Sequence, residues 1–142
     1  MTTKRDKSKP FELRVRVYYE DTDAQGVVYY ANYFRFMERA RTEWLEAMGV
    51  DHITMMNEEN RILVVSEAHA KFLIPARLGD TLIVTASLSR LARATFEIEQ
   101  NIFRDNTEGD LLIQGDVTVA YLSADTMKPK RIPQTFFEDN SL

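Results

Sequence analysis

Residues 17–49, "VYYEDTDAQGVVYYANYFRFMERARTEWLEAMG", change character midway, and that change decides the fold. The first part is turn-like: Glu20, Asp21 and Asp23 crowd together beside apolar residues, with Gly26 just beyond. From Ala31 the apolar residues Tyr33, Phe36, Met37, Ala40, Trp44 and Met48 recur at helical spacings of three and four. Arg35, Glu38, Arg39, Thr42, Glu43 and Glu46 fall mostly between them. Gly49 suits the left-handed position just past a helix end. Such a helix would be about 27 Å long. Its stripe carries the largest aromatic side chains, so it is expected to be the core element.

The flanking sequence has a period of two. In "FELRVRVY" (11–18), Phe11, Leu13, Val15 and Val17 alternate with Glu12, Arg14 and Arg16, as in a half-buried strand. "DHITMMNEEN" (51–60) reads as a short irregular or helical connector. Ile62, Val64, Ser66, Ala68, Ala70 and Phe72 are then expected on one face of a strand, with Glu67, His69 and Lys71 on the other. "IPARLGD" (74–80) breaks that run. Leu82, Val84, Ala86 and Leu88 alternate next, followed by Phe96, Ile98 and Ile102 against Thr95, Glu97, Glu99 and Asn101. "DNTEGD" (105–110) is a hairpin signal, and Ile113, Val117, Val119 and Tyr121 give the apolar face of a last strand. One short helix near Phe136 is expected in the tail. Short turns favour antiparallel neighbours, so strand, long helix and four strands imply an α+β domain with one sheet wrapped on one helix. Two sheet edges remain open, and self-association through them is expected.

The 142 residues suit one domain, over 11–142, behind a basic, disordered lead-in at 1–10. A net charge of -4 argues against general affinity for nucleic acid or anionic membrane, though not against an anionic small molecule. The chain lacks cysteine, which removes disulfides, thiolate zinc sites and cysteine nucleophiles. No apolar run reaches the length of a signal core or membrane span, so the cytoplasm is the expected location, without membrane insertion.

Of the two histidines, His52 lies in the connector and His69 on a strand's polar face, where a structural role is expected. No G-x-S-x-G elbow, metal-spaced histidine pair, G-x-G-x-x-G or P-loop occurs. Hydrolysis would have to run on a carboxylate. The "EDTDAQG" segment admits three readings. It can be an Asx-type turn ahead of the helix. A calcium loop would need oxygen ligands beyond Asp23, which Ala24, Gln25 and Gly26 do not supply. In a catalytic reading, the helix start offers unpaired N–H groups to a carbonyl developing negative charge. Asp23 then attacks that carbonyl or deprotonates a water that does. Gly26 lets the chain bend around the reacting group, and Val27, Val28 and Tyr29 would keep the site partly dry.

On these residues the sequence resembles the 4-hydroxybenzoyl-CoA thioesterase family of hotdog-fold proteins, and more closely its Tol–Pal-associated (YbgC-type) acyl-CoA thioesterases. "VRVYYEDTDAQGVVYYANYFRFMERARTEWL" carries the likeness, with "IPARLGDTLIVTA" and "TFEIEQNIFR" agreeing further on. The resemblance implies a hotdog fold, homodimers or homotetramers with active sites at the subunit interface, and no metal or redox cofactor. It implies hydrolysis of a short-chain aliphatic or aromatic acyl-CoA. Asp23 corresponds to the catalytic aspartate and the Tyr30 backbone N–H to the donor that polarises the thioester carbonyl. Tyr30 stands where many YbgC-type members have histidine and 4-hydroxybenzoyl-type members commonly have tyrosine. Arg90 and Arg93 are the candidates for the CoA phosphates, with Arg77 and Arg104 behind them. Arg39, Arg41 and Glu43 are expected in a solvated or interface charge network. The alternative on the same fold is a non-catalytic acyl-CoA-binding or scaffold protein in an envelope-associated complex.

Overall fold

The computed structural model describes residues 9–138; most of the expected lead-in and the last four residues lie outside them. β1 (Phe11–Arg16) is followed by the helix α1 (Ala31–Ala47) and a short helix α2 (His52–Glu58). Then come β2 (Arg61–Phe72), β3 (Thr81–Leu91), β4 (Thr95–Arg104), β5 (Leu111–Ser123) and a last helical turn α3 (Thr135–Glu138). All strand pairs are antiparallel, in the order β1-β3-β4-β5-β2. Short turns keep β3, β4 and β5 adjacent, and the intervening α1 sends β1 and β2 to opposite edges.

Helix α1 lies along the inner face and buries Tyr33, Phe36, Met37, Ala40, Trp44 and Leu45. Leu82, Val84, Phe96, Ile98, Ile102, Ile113 and Val117 rise to meet them, each 1% exposed or less. Burial of each such side chain contributes about 1.5–3 kcal/mol. The helix closes where the sequence expects. Gly49 takes φ +92°, its amide donates to Glu46 O at 3.0 Å, and the Val50 amide donates to Leu45 O at 2.9 Å. These are the paired bonds of a left-handed C-cap. The connector is helical because Asp51 caps it, its Oδ1 accepting from the Ile53 and Thr54 amides. The tail packs its aromatics back on the core: Phe137 stacks on Trp44 at 6.0 Å and Phe136 meets Tyr121 edge-on at 5.6 Å.

Two inner-face positions depart from simple alternation. Gln100 is fully buried in β4. Its Nε2 donates to Met37 O at 2.9 Å, and its Oε1 accepts from Arg41 Nη1 at 3.0 Å. Arg41 is thus not part of a solvated charge network: it turns toward the sheet, and burial pulls its guanidinium below the ordinary arginine value against the opposing Glu38 carboxylate. Beside Gln100 sits Gly115. A Cβ there would lie 2.9 Å from Gln100 O, 3.0 Å from Met37 Cε and 3.1 Å from His69 O. Two of these are backbone atoms that cannot swing aside, so Gly115→Ala is expected to destabilise the fold by about 1–3 kcal/mol, read from the midpoint shift in urea.

The expected face of β2 needs correction. A bulge between Val65 and Glu67 shifts the register. Leu63 and Val65 pair with Tyr121 and Val119 before it, whereas Ala68, Ala70 and Phe72 pair with Val117, Gly115 and Ile113 after it. The helix-facing set is therefore Leu63, Val65, Ala68, Ala70 and Phe72; Ile62 and Val64 point the other way. As an edge strand β2 has a neighbour on one side only, and Val65 and Phe72 remain 43% and 51% exposed.

Candidate active site

The segment between β1 and α1 is shaped by its own short polar side chains. Asp21 closes a one-turn 3-10 helix: its Oδ2 accepts from the Tyr18 amide at 2.8 Å while its amide donates to Tyr18 O at 3.0 Å. Thr22 Oγ1 donates to Tyr19 O at 2.8 Å. Asp23 opens the next turn. Its carbonyl accepts from the Gly26 amide at 3.0 Å, and its Oδ1 accepts from the Gln25 amide at 2.9 Å. Gly26 sits at φ +78°, so glycine serves the backbone bend here rather than a close contact. The bland and the catalytic readings of "EDTDAQG" are thus compatible. Asp21 is spent on a turn, while the Asp23 side chain has one oxygen in an Asx turn and its other oxygen in no hydrogen bond among the described residues.

The loop then folds back on itself: Thr22 bridges Val28, and the Asp23 amide donates to Val27 O at 2.9 Å. The Tyr29 amide and Asn32 Nδ2 both donate to Asp21 O, at 3.0 and 2.9 Å. Asn32 is thereby used to anchor the loop. Helix α1 receives no side-chain cap and has no acid in its first turn. The Asn32 and Tyr33 amides reach back to Tyr29 O and Tyr30 O, at 2.8 and 3.3 Å. The amides of Tyr30 and Ala31 find no acceptor among the described residues, so two donors stand at the positive end of a 17-residue helix.

Aromatic rings surround this end. Tyr30 lies 5.0 Å from Tyr29 and 6.2 Å from Phe72, whose ring also meets Tyr33 and Phe34. Tyr33 is buried, and its hydroxyl accepts from the Ala76 amide at 3.0 Å. Burial pushes its phenol above the usual tyrosine value. The Asp80 and Asp23 carboxylates add to that rise, against the Ala76 amide and the Arg104 charge. In the single chain Val28 is buried, but Asp23, Tyr29 and Tyr30 are exposed, so the expected drying by this loop is only partial.

The loop that carries Asp23 is tied to the start of α1 by the Tyr29 and Asn32 bonds to Asp21 O, and Arg77 lies against it through a bridge to Val27; Arg90 and Arg93 do not join it. Arg90 stands next to the end of β3 and Arg93 within the β3–β4 turn, and Arg90 makes a loose 3.9 Å pair with Glu97 on the outer sheet face. The Asp23 loop adjoins the opposite end of β3, about 30 Å away along the strand at roughly 3.3 Å per residue. Arg104 is held by carboxylates, with Nε 3.1 Å from Asp80 Oδ2 and Nη1 2.8 Å from Asp110 Oδ2. His69 pairs with Glu67 at 3.2 Å on an exposed face, and half-buried His52 has no hydrogen-bond partner for Nδ1 among the described residues.

A five-stranded antiparallel sheet curled over one long helix, with an acid-bearing loop folded against that helix's bare first turn, defines a hotdog domain. The chain belongs to the thioesterase superfamily, whose family model matches residues 25–110. It is 39% identical over 124 residues to the acyl-CoA thioesterase YbgC of Haemophilus influenzae, covering 87% of this chain and 89% of that protein. Among solved structures, a probable thioesterase from Bartonella henselae superposes with a TM-score of 0.81 at 32% identity, over 88% of this chain and all of that one. A 1,4-dihydroxy-2-naphthoyl-CoA thioesterase from Synechocystis gives 0.84 at 22% identity, over 94% and 96% of the two chains, a likeness of fold alone. No helix among the described residues is long and apolar enough to cross a membrane.

Proposed function

We propose that this chain hydrolyses the thioester of a short-chain aliphatic or aromatic acyl-CoA to the free acid and CoA, acting in the cytoplasm. The observation that carries the reading is the pair of amides at Tyr30 and Ala31 that find no acceptor among the described residues, set beside the loop that carries Asp23. The thioester carbonyl oxygen sits at the Tyr30 N–H, which strengthens its hold as the oxygen gains charge. Asp23 either adds to the carbonyl carbon itself or takes a proton from a water that adds. In both routes the carbonyl electrons move onto oxygen and return to expel the CoA thiolate; when Asp23 itself has added, a water then hydrolyses the acyl-aspartyl anhydride, releasing the acid and restoring the carboxylate. The YbgC relationship supports the choice of acyl-CoA.

The working unit is a homodimer or homotetramer. The open, apolar edge of β2 beside the Phe72 aromatic cluster is the surface that a second copy covers, and covering it dries the Asp23 site. Arg90 and Arg93 then serve the CoA phosphates of a site built on another protomer, since within one chain they face away from it. The experiment is a thiol-release assay over a panel of acyl-CoAs. Free thiol with at least one of them is the expected result. Retention of acyl-CoA without thiol release would favour the binding-protein alternative.

A further inference from the structure

Besides its own internal bonds, the Asp23 loop leans on the segment 75–80. The Val28 amide donates to Ala76 O at 2.8 Å, the Leu78 amide to Gly26 O at 3.1 Å, and Val27 bridges Arg77. On the near side of the loop the Val17 amide donates to Asp80 O at 2.9 Å and the Gly79 amide to Val17 O at 3.1 Å. The Ala76 amide also reaches the Tyr33 hydroxyl in the first turn of α1. Loop and helix start, already joined by the Tyr29 and Asn32 bonds to Asp21 O, are thus also registered against each other through this segment.

Burial does little to fix it. Ala76 is its only buried residue, and the flanking Ile74 and Leu78 are 39% and 48% exposed. Polar bonds hold it instead. Apart from the Tyr33 hydroxyl, the side-chain bonds reaching it from elsewhere in the described chain come from Arg104 at the end of β4. Nη2 donates to Pro75 O at 2.9 Å and Nε to Asp80 Oδ2 at 3.1 Å, gripping the segment at both ends. Nη1 donates to Asp110 Oδ2 at 2.8 Å and ties the fork to the β4–β5 hairpin. Asp80 Oδ2 also accepts from the Arg77 amide at 2.9 Å, so the same carboxylate sets the turn's shape. Only a planar guanidinium offers donors in three such directions.

We propose that Arg104 is a positioning residue for thioester hydrolysis, fixing the 75–80 segment and through it the placement of Asp23 against the Tyr30 amide. This rests on the reading of Asp23 and Tyr30 given above. Misplacement of reacting groups by about 1 Å costs up to about 100-fold in rate. Arg104→Ala is expected to lower kcat per folded molecule about 10- to 100-fold with KM little changed. Arg104→Lys keeps a charge for Asp80 and Asp110 but cannot also span to Pro75 O, so it recovers part of the loss. Guanidinium ion added to Arg104→Ala recovers part as well. If Arg104→Ala does not fold, Asp80→Asn tests the same grip, with a smaller loss confined to kcat. Asp23→Asn is run alongside. Full kcat per folded molecule in Arg104→Ala, or in Asp80→Asn where the first is unfolded, beside an inactive Asp23→Asn would overturn the positioning role and leave the catalytic reading standing. An active Asp23→Asn would instead remove the reading itself.

Discussion

Asp23→Asn is expected to lower kcat for acyl-CoA hydrolysis by about 10²- to 10⁴-fold, the span that a positioned acid or base contributes. The fold should survive the change. Asparagine keeps an oxygen for the Gln25 amide, and the remaining bonds of the turn, Gly26 to Asp23 O and Asp23 N to Val27 O, are backbone bonds. Neither route of attack survives, because a carboxamide is a poor nucleophile and does not take up a proton near neutrality. Acyl-CoA binding should persist, so the loss appears in kcat under saturating substrate with an unchanged thermal midpoint. Wild-type turnover in this variant would remove the proposed centre.

Tyr30→Pro should be nearly as damaging, for a different reason. The candidate oxyanion donor is a main-chain N–H, and proline is the one residue that lacks it. Tyr30 already has φ -56° and ψ -32°, within the range a proline ring accepts, so the substitution deletes a donor with little demand on the helix. The residue before a proline is held out of the helical region, and Tyr29 already lies outside α1. Loss of one such donor costs about 10²- to 10³-fold in kcat. Tyr30→Phe is the control: it alters the ring and keeps the amide, so its kcat should stay close to wild type. Equal losses in the two variants would assign the work to the phenol instead. Retained turnover in Tyr30→Pro would place the oxyanion elsewhere.

The architecture was legible wherever local periodicity determines it. Helix α1 could be read from the spacing of Tyr33, Phe36, Met37, Ala40 and Trp44, and its end from Gly49. β2 was misread because "RILVV" is apolar on both faces, so nothing in the alternation marks the bulge at Ser66. Gln100 and Arg41 were missed for a related reason. A polar side chain on an inner face is distinguished only by the partners that satisfy it, and those lie 59 and 63 residues away. That the acid-bearing loop leads directly into the start of α1 was visible because both lie in one short stretch. The support of that stretch by residues 75–80 was not, since backbone bonds between distant loops leave no trace in side-chain type. Arg104 reads in sequence as a lesser candidate for the CoA phosphates; its bonds to Asp80, Asp110 and Pro75 appear only in the fold. Arg90 and Arg93 rest on the resemblance, since sequence alone does not show which end of a strand a turn occupies.

The bare first turn of α1 has a consequence for how this protein can diverge. Its attraction for negative charge belongs to the main chain, so it is inherited whatever side chain position 30 carries, proline excepted. Tyrosine and histidine can replace one another there by drift while the chemistry persists, leaving the ring free to be recruited for recognising different acids.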